Sequence, residues 1–180
     1  MTGTKGHAGT LEAMEFATPV GALAVIVDDG VVVASGFTTV EDQFERLDPD
    51  LQARGLRKRS AAGPVALAVR AYLGGDPGAL DQVPVRQPGG AFMQDAWRVM
   101  REIPPGQTWS YTELAGKAGR PEAVRPAAAA CARNLVAPFV PCHRVVRSDG
   151  SMGGYYYGLA VKRWLLAHER GEPTQELLPA

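Results

Sequence analysis

A stretch rich in proline and glycine, residues 76–90, divides this chain of 180 residues into two halves of different character. Proline cannot donate a backbone hydrogen bond and glycine favours turns, so regular structure is expected to stop in this stretch. We predict an N-terminal domain over residues 1–88, which includes the linker, a second domain over residues 89–172, and a tail over residues 173–180.

The first half is predicted to contain a β-hairpin over residues 14–37. Two β-branched runs flank residues 28–30, and an Asp-Gly turn between such runs is typical of a hairpin. Residues 38–60 are charged, and we expect a mobile connection or a poorly packed helix there. Residues 64–73 have helical composition and end at a Gly-Gly pair, which predicts a helix and its C-terminus.

The second half is predicted to be helical at first. Phe92, Ala96, Trp97 and Met100 share one helical face. Residues 110–113 then form a capping box, in which Ser110 precedes a short helix that ends at Gly119.

A second short helix is predicted to follow at Pro126, because proline suits the first helical turn. Arg125 would then lie at the N-terminus of a helix made of small residues, 127–132. A helix, a turn and a small-residue helix have the spacing of a helix-turn-helix, and the lack of bulky side chains would allow close approach to a nucleic acid.

Charge supports this division. Residues 1–91 carry 8 Lys/Arg and 11 Asp/Glu, a balance of −3, whereas residues 92–170 carry 11 and 6, a balance of +5, and the last ten residues carry −2. A basic second half favours a polyanionic partner. The sequence has no run typical of a membrane span or a signal peptide, so we expect a cytoplasmic protein without membrane contact.

The cysteines and histidines are few, and two of them are adjacent. The chain has 2 cysteines and 3 histidines, with no spacing typical of zinc ligands, so we expect reduced thiols and neither a metal nor a cofactor. Cys142 and His143 form part of the motif Pro141-Cys142-His143-Arg144. A thiol of pKa about 8.5 needs a base or a positive environment to react as a thiolate.

The geometry of this pair is constrained, because neighbouring residues face opposite sides of a strand. We expect His143 to reach the Cys142 sulfur through a water molecule or around a tight turn at Pro141. Glu169 lies three and four residues after Leu166 and Leu165, on the face of a final helix over residues 159–170 that these leucines would bury. A carboxylate on this buried face is explained if it orients the histidine. We therefore predict that Cys142 is the nucleophile, His143 the base and Glu169 the residue that orients the base.

These residues, taken in order, resemble the O6-alkylguanine-DNA alkyltransferases, also called methylated-DNA–protein-cysteine methyltransferases. The matching segments extend over residues 92–170 and include the Pro-Cys-His-Arg-Val motif, Asn134, the glycine-flanked tyrosines of residues 153–158 and the segment that ends at Glu169. The resemblance implies a ribonuclease-H-like N-terminal α/β domain and a winged-helix-like C-terminal domain that carries the helix-turn-helix.

The resemblance also implies an activity and a set of roles. A monomer would bind double-stranded DNA in the minor groove, flip out O6-alkylguanine, and O4-alkylthymine as well, and transfer the alkyl group irreversibly to Cys142. His143 and Glu169 would activate the thiol, Tyr111 would assist base rotation and protonation, and Asn134 would brace the active-site turn. The implied DNA contacts are Arg125, which fills the gap left by the flipped base, and Pro126, Ala127, Ala128, Cys131 and Arg133. The implied base pocket consists of Val145, whose backbone would contact guanine, with Tyr155, Tyr156 and Tyr157.

Three positions depart from the family pattern. Leu135 stands where proline usually follows the asparagine, so we expect a less constrained hinge. Pro126 stands where a small or β-branched residue is common. Tyr157 replaces a small residue, usually glycine, and either points to solvent or narrows the base pocket.

Three other functions are compatible with parts of the sequence. A non-catalytic protein that flags alkylated DNA would not need Cys142. A cysteine hydrolase would use the Cys-His-Glu set, but the sequence shows no obvious oxyanion-binding arrangement. A transcription regulator would use the helix-turn-helix and leave the Cys-His-Glu set without a role.

Overall fold

The computed structural model describes residues 9–177 and begins with an antiparallel β-meander. Its strands are β1 (Leu11–Thr18), β2 (Gly21–Asp28) and β3 (Val31–Gly36). Asp29 and Gly30 have φ angles of 48° and 80°, the left-handed conformation that a two-residue hairpin turn requires. The predicted hairpin is confirmed.

The charged segment 38–60 is ordered, and the prediction of a mobile connection or poorly packed helix was wrong. It forms α1 (Val40–Glu45), α2 (Pro49–Gln52) and β4 (Leu56–Lys58). The side chains of Thr39 and Asp48 cap the N-termini of α1 and α2. Strand β4 pairs in parallel with β1, so the order of strands in the sheet is β3-β2-β1-β4. The charged composition hid a few apolar residues that pack on one face of the sheet.

The opposite face of the sheet is covered by α3 (Gly63–Leu73), which confirms the helix predicted over residues 64–73. Val65, Ala66, Val69 and Tyr72 of α3 are buried, at the spacing of one helical face. Tyr72 is 1% exposed, and its hydroxyl reaches into the second half of the molecule.

The proline- and glycine-rich segment is also ordered, contrary to its interpretation as a linker. Leu80 and Val83 are buried, and Val85 forms a parallel bridge with Val32 of β3. The backbone of Val32 donates to Pro84 O at 2.9 Å. Prolines do not prevent this pairing, because the segment runs along the edge of the sheet, where not every N–H is needed. The apolar core is continuous from β1 to the last helix.

The second half begins with α4 (Ala91–Met100), which buries Ala96, Trp97 and Met100 as the spacing predicts and leaves Phe92 partly buried. The Ser110 capping box is confirmed: Ser110 caps α5 (Tyr111–Lys117), and Glu113 returns to the Ser110 N–H. The two-stranded parallel pair β5 (Trp109–Ser110) and β6 (Val145–Val146) lies beside α5.

The helix predicted to begin at Pro126 begins two residues earlier, as α6 (Val124–Ala132). Pro126 is thus the third helical residue, a position whose N–H has no partner within the helix, so proline causes no loss there. α5 and α6 pack together as the predicted helix-turn-helix pair. The last helix, α7 (Leu159–Glu169), packs beside the segment that carries Cys142. The predicted mixed α/β class is confirmed, and none of the helices within residues 9–177 is long and apolar enough to cross a membrane.

Candidate active site

Cys142, His143 and Arg144 form a single 3₁₀ turn between Pro141 and β6. All three are buried, with exposed fractions of 7%, 0% and 3%. The predicted tight turn is therefore present, and it directs the side chains of neighbouring residues to different partners.

Glu169, the last residue of α7, lies behind this turn and accepts five hydrogen bonds. His143 Nε2 is 2.7 Å from Oε1, and Tyr72 Oη donates to the same oxygen at 2.9 Å. Arg144 donates to both carboxylate oxygens, from Nε at 2.9 Å and from Nη2 at 3.0 Å. The backbone N–H of Gly106 completes the set at 3.2 Å. The predicted proximity of His143 and Glu169 is present in the structure.

The pKa values of Glu169 and His143 are both lowered, but for different reasons. Burial alone would raise the pKa of Glu169, but His143 and Arg144 outweigh it, and the pKa lies below its usual range. Burial lowers the pKa of His143, in spite of the opposing effect of Glu169. At neutral pH the imidazole is therefore neutral beside a carboxylate. Because Nε2–H faces Glu169, the free lone pair is on Nδ1, which is buried and has no hydrogen-bond partner among residues 9–177.

Burial raises the pKa of the Cys142 thiol, and a hydrogen bond from Asn134 partly opposes this effect. Asn134 Nδ2 donates to Cys142 Sγ at 3.2 Å and to Val140 O at 2.7 Å. Its Oδ1 accepts from Gln87 Nε2 at 3.0 Å and from the Val136 N–H at 3.1 Å. The cysteine rests as a neutral thiol beside a neutral base, at a position that Asn134 holds.

Cys142 borders a cavity of about 380 Å³ between α6 and the loop that precedes α7. The cavity is lined by Tyr111, Ala128, Cys131, Ala132, Cys142, Gly154, Tyr155 and Tyr156. Burial raises the pKa of Tyr111 to about 12, so its hydroxyl keeps its proton at neutral pH and can donate a hydrogen bond into the cavity. The small side chains of α6 keep this cavity open, which is the physical use of the alanine run.

Lys162 of α7 is fully buried and was missed in the sequence. Its Nζ donates to the carbonyl oxygens of Val145 at 2.7 Å, Met152 at 2.5 Å and Gly154 at 3.3 Å, which ties the cavity loop to β6. A signal was available, because residue 162 lies on the same helical stripe as residues 165, 166 and 169. Tyr72 and Gln87 were also missed, and no local pattern points to either.

The residues implied to contact DNA differ in their exposure to solvent. Arg125, Pro126 and Arg133 are exposed, and Ala128 and Cys131 are partly buried along the cavity side of α6. Ala127 is 0% exposed, so the DNA contact expected of it is wrong. Ala127 lies with Ala130 on the face of α6 that packs against the core.

Two of the four residues of the implied base pocket do not line the cavity. Tyr155 and Tyr156 do so, whereas Val145 is fully buried, its carbonyl bound by Lys162 and its N–H directed at Cys142 O. Tyr157 points neither to solvent nor into the cavity, because its hydroxyl lies against α1. The expectation for Tyr157 was therefore wrong, whereas the guanine contact expected of the Val145 backbone stays a prediction.

The expectation of a loose hinge at Leu135 was also wrong. The N–H that a proline would lack donates to Gln87 Oε1 at 2.7 Å, and Leu135 O accepts from the Ser35 N–H at 2.7 Å. Two hydrogen bonds thus hold this hinge. Within residues 9–177, no group of three or more His, Cys, Asp or Glu residues is placed to hold a metal ion.

Comparison with known proteins identifies the class first. Residues 91–171 match the model of the "6-O-methylguanine DNA methyltransferase, DNA binding domain". This segment contains both the helix-turn-helix and the turn that carries Cys142, so the two features belong to a DNA-binding domain. A Methylated-DNA--protein-cysteine methyltransferase of Shigella flexneri is 37% identical over 161 residues, which cover 86% of this chain and 93% of that protein. The chain belongs to the methylated-DNA–protein-cysteine methyltransferase family, as the sequence motifs predict.

Other relatives support the same assignment. The human Methylated-DNA--protein-cysteine methyltransferase is 45% identical over 86 residues, which cover 48% of this chain and 42% of that protein. The crystal structure of Mycobacterium tuberculosis OGT in complex with DNA superposes with a TM-score of 0.75 at 26% identity, covering 92% of this chain and 98% of the other. The fold is thus shared over both halves of the molecule.

The Glu169 cluster predicts a pH-dependent stability. A carboxylate whose pKa is lower in the folded state stabilises the fold above its unfolded pKa of about 4.3, and this contribution decreases as the pH falls. The lowered pKa of His143 acts in the same direction below about pH 6.5. The free energy of unfolding in urea should therefore fall as the pH is lowered from 7 to 4.

The Glu169→Gln variant should have a free energy of unfolding about 3–5 kcal/mol lower than that of the wild type at pH 7, because Arg144 is left as a buried unpaired charge. The stability of this variant should also depend less on pH.

Glu41→Gln is the matched control. Glu41 is an exposed carboxylate paired with Lys58, and its removal should change stability little at either pH. Equal pH slopes for the wild type and Glu169→Gln would contradict the assigned ionisation of the cluster.

Proposed function

We propose that this protein repairs DNA by direct reversal: it flips O6-alkylguanine, and O4-alkylthymine, out of the duplex and transfers the alkyl group irreversibly to Cys142. The observation that carries the proposal is the position of Cys142 at a cavity beside α6, in the same 3₁₀ turn as His143, whose imidazole is hydrogen-bonded to Glu169. The names of the relatives and the DNA complex of a structural neighbour support it.

The reaction needs a thiolate only while the alkyl group moves. His143 Nδ1 takes the thiol proton, directly or through one water molecule, and Glu169 stabilises the imidazolium that forms. The sulfur attacks the alkyl carbon, the C–S bond forms, and the bond from that carbon to O6 breaks. Tyr111, which lines the cavity, passes a proton to the leaving guanine so that the base departs uncharged, and the proton that His143 took from the thiol restores the Tyr111 phenol. The thioether product is stable, which limits each molecule to one turnover.

Access to the base requires that it leave the stack, since the thiol lies inside the protein. α6 presents exposed Arg125 and Pro126 at one end and small residues along the cavity. Arg125 forms no ion pair with residues 9–177, so its guanidinium is available to occupy the place of the flipped base. A helix with small side chains suits the narrow minor groove, and we place α6 there. One copy of the chain supplies every residue named in the site.

We expect Cys142 alone to gain one methyl group when the protein is mixed with DNA that carries O6-methylguanine. Cys131 borders the same cavity, but burial raises its thiol pKa well above the usual value, and no hydrogen bond joins it to a histidine within residues 9–177. Mass spectrometry of the intact protein and of its tryptic peptides measures the outcome. Methylation of Cys131, or product beyond one equivalent per protein, would contradict the mechanism.

DNA binding and alkyl transfer should depend on different residues. Cys142→Ser should keep its affinity for modified DNA, whereas Arg125→Ala should lose base flipping, measured by the fluorescence of 2-aminopurine beside the lesion. Wild-type affinity should fall with salt, because bound phosphates release counterions. Arg57→Ala is the matched control, since it removes one exposed arginine from β4, in the other half of the molecule. An equal loss of base flipping in the Arg57→Ala and Arg125→Ala variants would mean that Arg125 contributes only its positive charge.

Glu169→Gln should slow alkyl transfer on the order of 10–100-fold, by analogy with carboxylates that orient a catalytic histidine. The amide cannot stabilise the imidazolium that forms when the thiol loses its proton. DNA affinity should change little, because Glu169 is buried and does not line the cavity. Transfer rates are compared at pH 7 on protein shown to be folded by circular dichroism. A wild-type rate in this variant would leave Glu169 with a structural role only.

A further inference from the structure

Tyr157 lies in the loop of residues 153–158, which forms one wall of the cavity, yet its side chain enters the N-terminal half. Its hydroxyl accepts from Gln43 Nε2 at 2.6 Å and from Arg46 Nη1 at 2.8 Å. It donates to Ser35 O at 3.3 Å. A tyrosine hydroxyl has one donor and two acceptor sites, so every site is used.

We propose that Tyr157 is a positioning residue through which the N-terminal half holds the cavity loop at a fixed place relative to Cys142. The inference rests on the proposed function, because the loop would contact the flipped base. It assigns to α1 and β3 a role in substrate binding, although neither element borders the cavity.

The site that receives Tyr157 is shaped for it. A Cβ atom added at Gly36 would lie 1.8 Å from the Tyr157 hydroxyl, so only glycine leaves room for the ring. Gly36 is not in the left-handed conformation, and space rather than backbone geometry therefore explains this glycine. Gln43 is 0% exposed, and Phe37 meets the tyrosine ring edge-on at 6.1 Å between centroids.

Arg46 joins this contact to the cavity itself. Its guanidinium lies 4.1 Å from the centre of the Tyr156 ring, and it forms no ion pair with residues 9–177. Tyr156 is 64% exposed and lines the cavity. A cation above an aromatic face stabilises an otherwise exposed ring.

The beginning and the end of the loop are held by different parts of the molecule, and the contact of Tyr157 holds the end. Lys162 binds the carbonyls of Met152 and Gly154, so the beginning of the loop is fixed from α7. Tyr157 packs against Tyr155 and Tyr156, with ring centroids 5.7 Å and 5.0 Å apart. Without Tyr157, each of the two cavity tyrosines would lose one aromatic contact.

The first test compares the wild type with Tyr157→Phe, using free O6-benzylguanine as the substrate, which needs no DNA. We expect the second-order rate to fall about tenfold, the ratio that corresponds to one lost hydrogen bond to a charged group. The loss should appear in the half-saturating concentration, with the limiting transfer rate and the pH profile of Cys142 unchanged. Amide hydrogen exchange over residues 152–159 should be faster.

Gly36→Ala tests the same contact without a change in the loop. It should reproduce the kinetic and exchange effects of Tyr157→Phe, whereas Gly9→Ala, where the added Cβ meets no atom within 4 Å, should behave as the wild type. Tyr157→Gly removes the two nearest atoms with which the new methyl group collides, and the third, Gln43 Nε2 at 2.3 Å, is the end of a flexible side chain that can move aside. In that background Gly36→Ala should therefore have little further effect, and the double-mutant cycle should be strongly non-additive.

The outcomes separate the two proposals. Wild-type half-saturation and wild-type exchange in both Tyr157→Phe and Gly36→Ala would overturn the positioning role, and so would a loss confined to the limiting rate. If the wild-type protein transfers no alkyl group to Cys142, the proposed function fails. Hydrogen exchange would still decide whether Tyr157 holds the loop.

Discussion

The buried carboxylate of Glu169 is the interaction on which the active site depends. It receives hydrogen bonds from α3, from the loop at Gly106 and from the turn that carries Cys142, so three separate parts of the chain meet at one side chain. Removing a carboxylate from water is costly, and the two hydrogen bonds from Arg144 offset that cost. The charge that orients His143 is therefore also a structural connection between the two halves of the molecule, and catalytic geometry is inseparable from folding.

The rest of the site keeps reactive groups uncharged until they are needed. The thiol and the imidazole are buried and neutral, and Asn134 fixes the sulfur with a hydrogen bond that belongs to a chain from Gln87 to Cys142. A permanent thiolate would react with other electrophiles, since the thiolate is the nucleophilic form. A neutral thiol that is deprotonated only with a substrate in place suits a protein that can react once.

Local sequence patterns predicted much of this structure, and long-range contacts account for what they did not. The hairpin, the capping box of Ser110 and the burial of Glu169 follow from turn chemistry and helical phase, and these were confirmed. The Cys-His pair and its glutamate could be found because they lie within 28 residues of one another. Tyr72, which is 97 residues from Glu169, and Gln43, which is 114 from Tyr157, belong to no local pattern. Ala127 was misplaced because the resemblance implied its role without its orientation, and in the structure it lies with Ala130 on the buried face of α6.

Gly36 and Tyr157 have a consequence for how sequences of this family diverge. A side chain at residue 36 and a ring at residue 157 would occupy the same space, so neither position can vary freely while the other is unchanged. Without the ring, a side chain at residue 36 would meet only the flexible end of Gln43, whereas a tyrosine at residue 157 requires glycine at residue 36. The order of the two changes is thus determined by volume. Residues separated by more than a hundred positions should then be inherited as a pair.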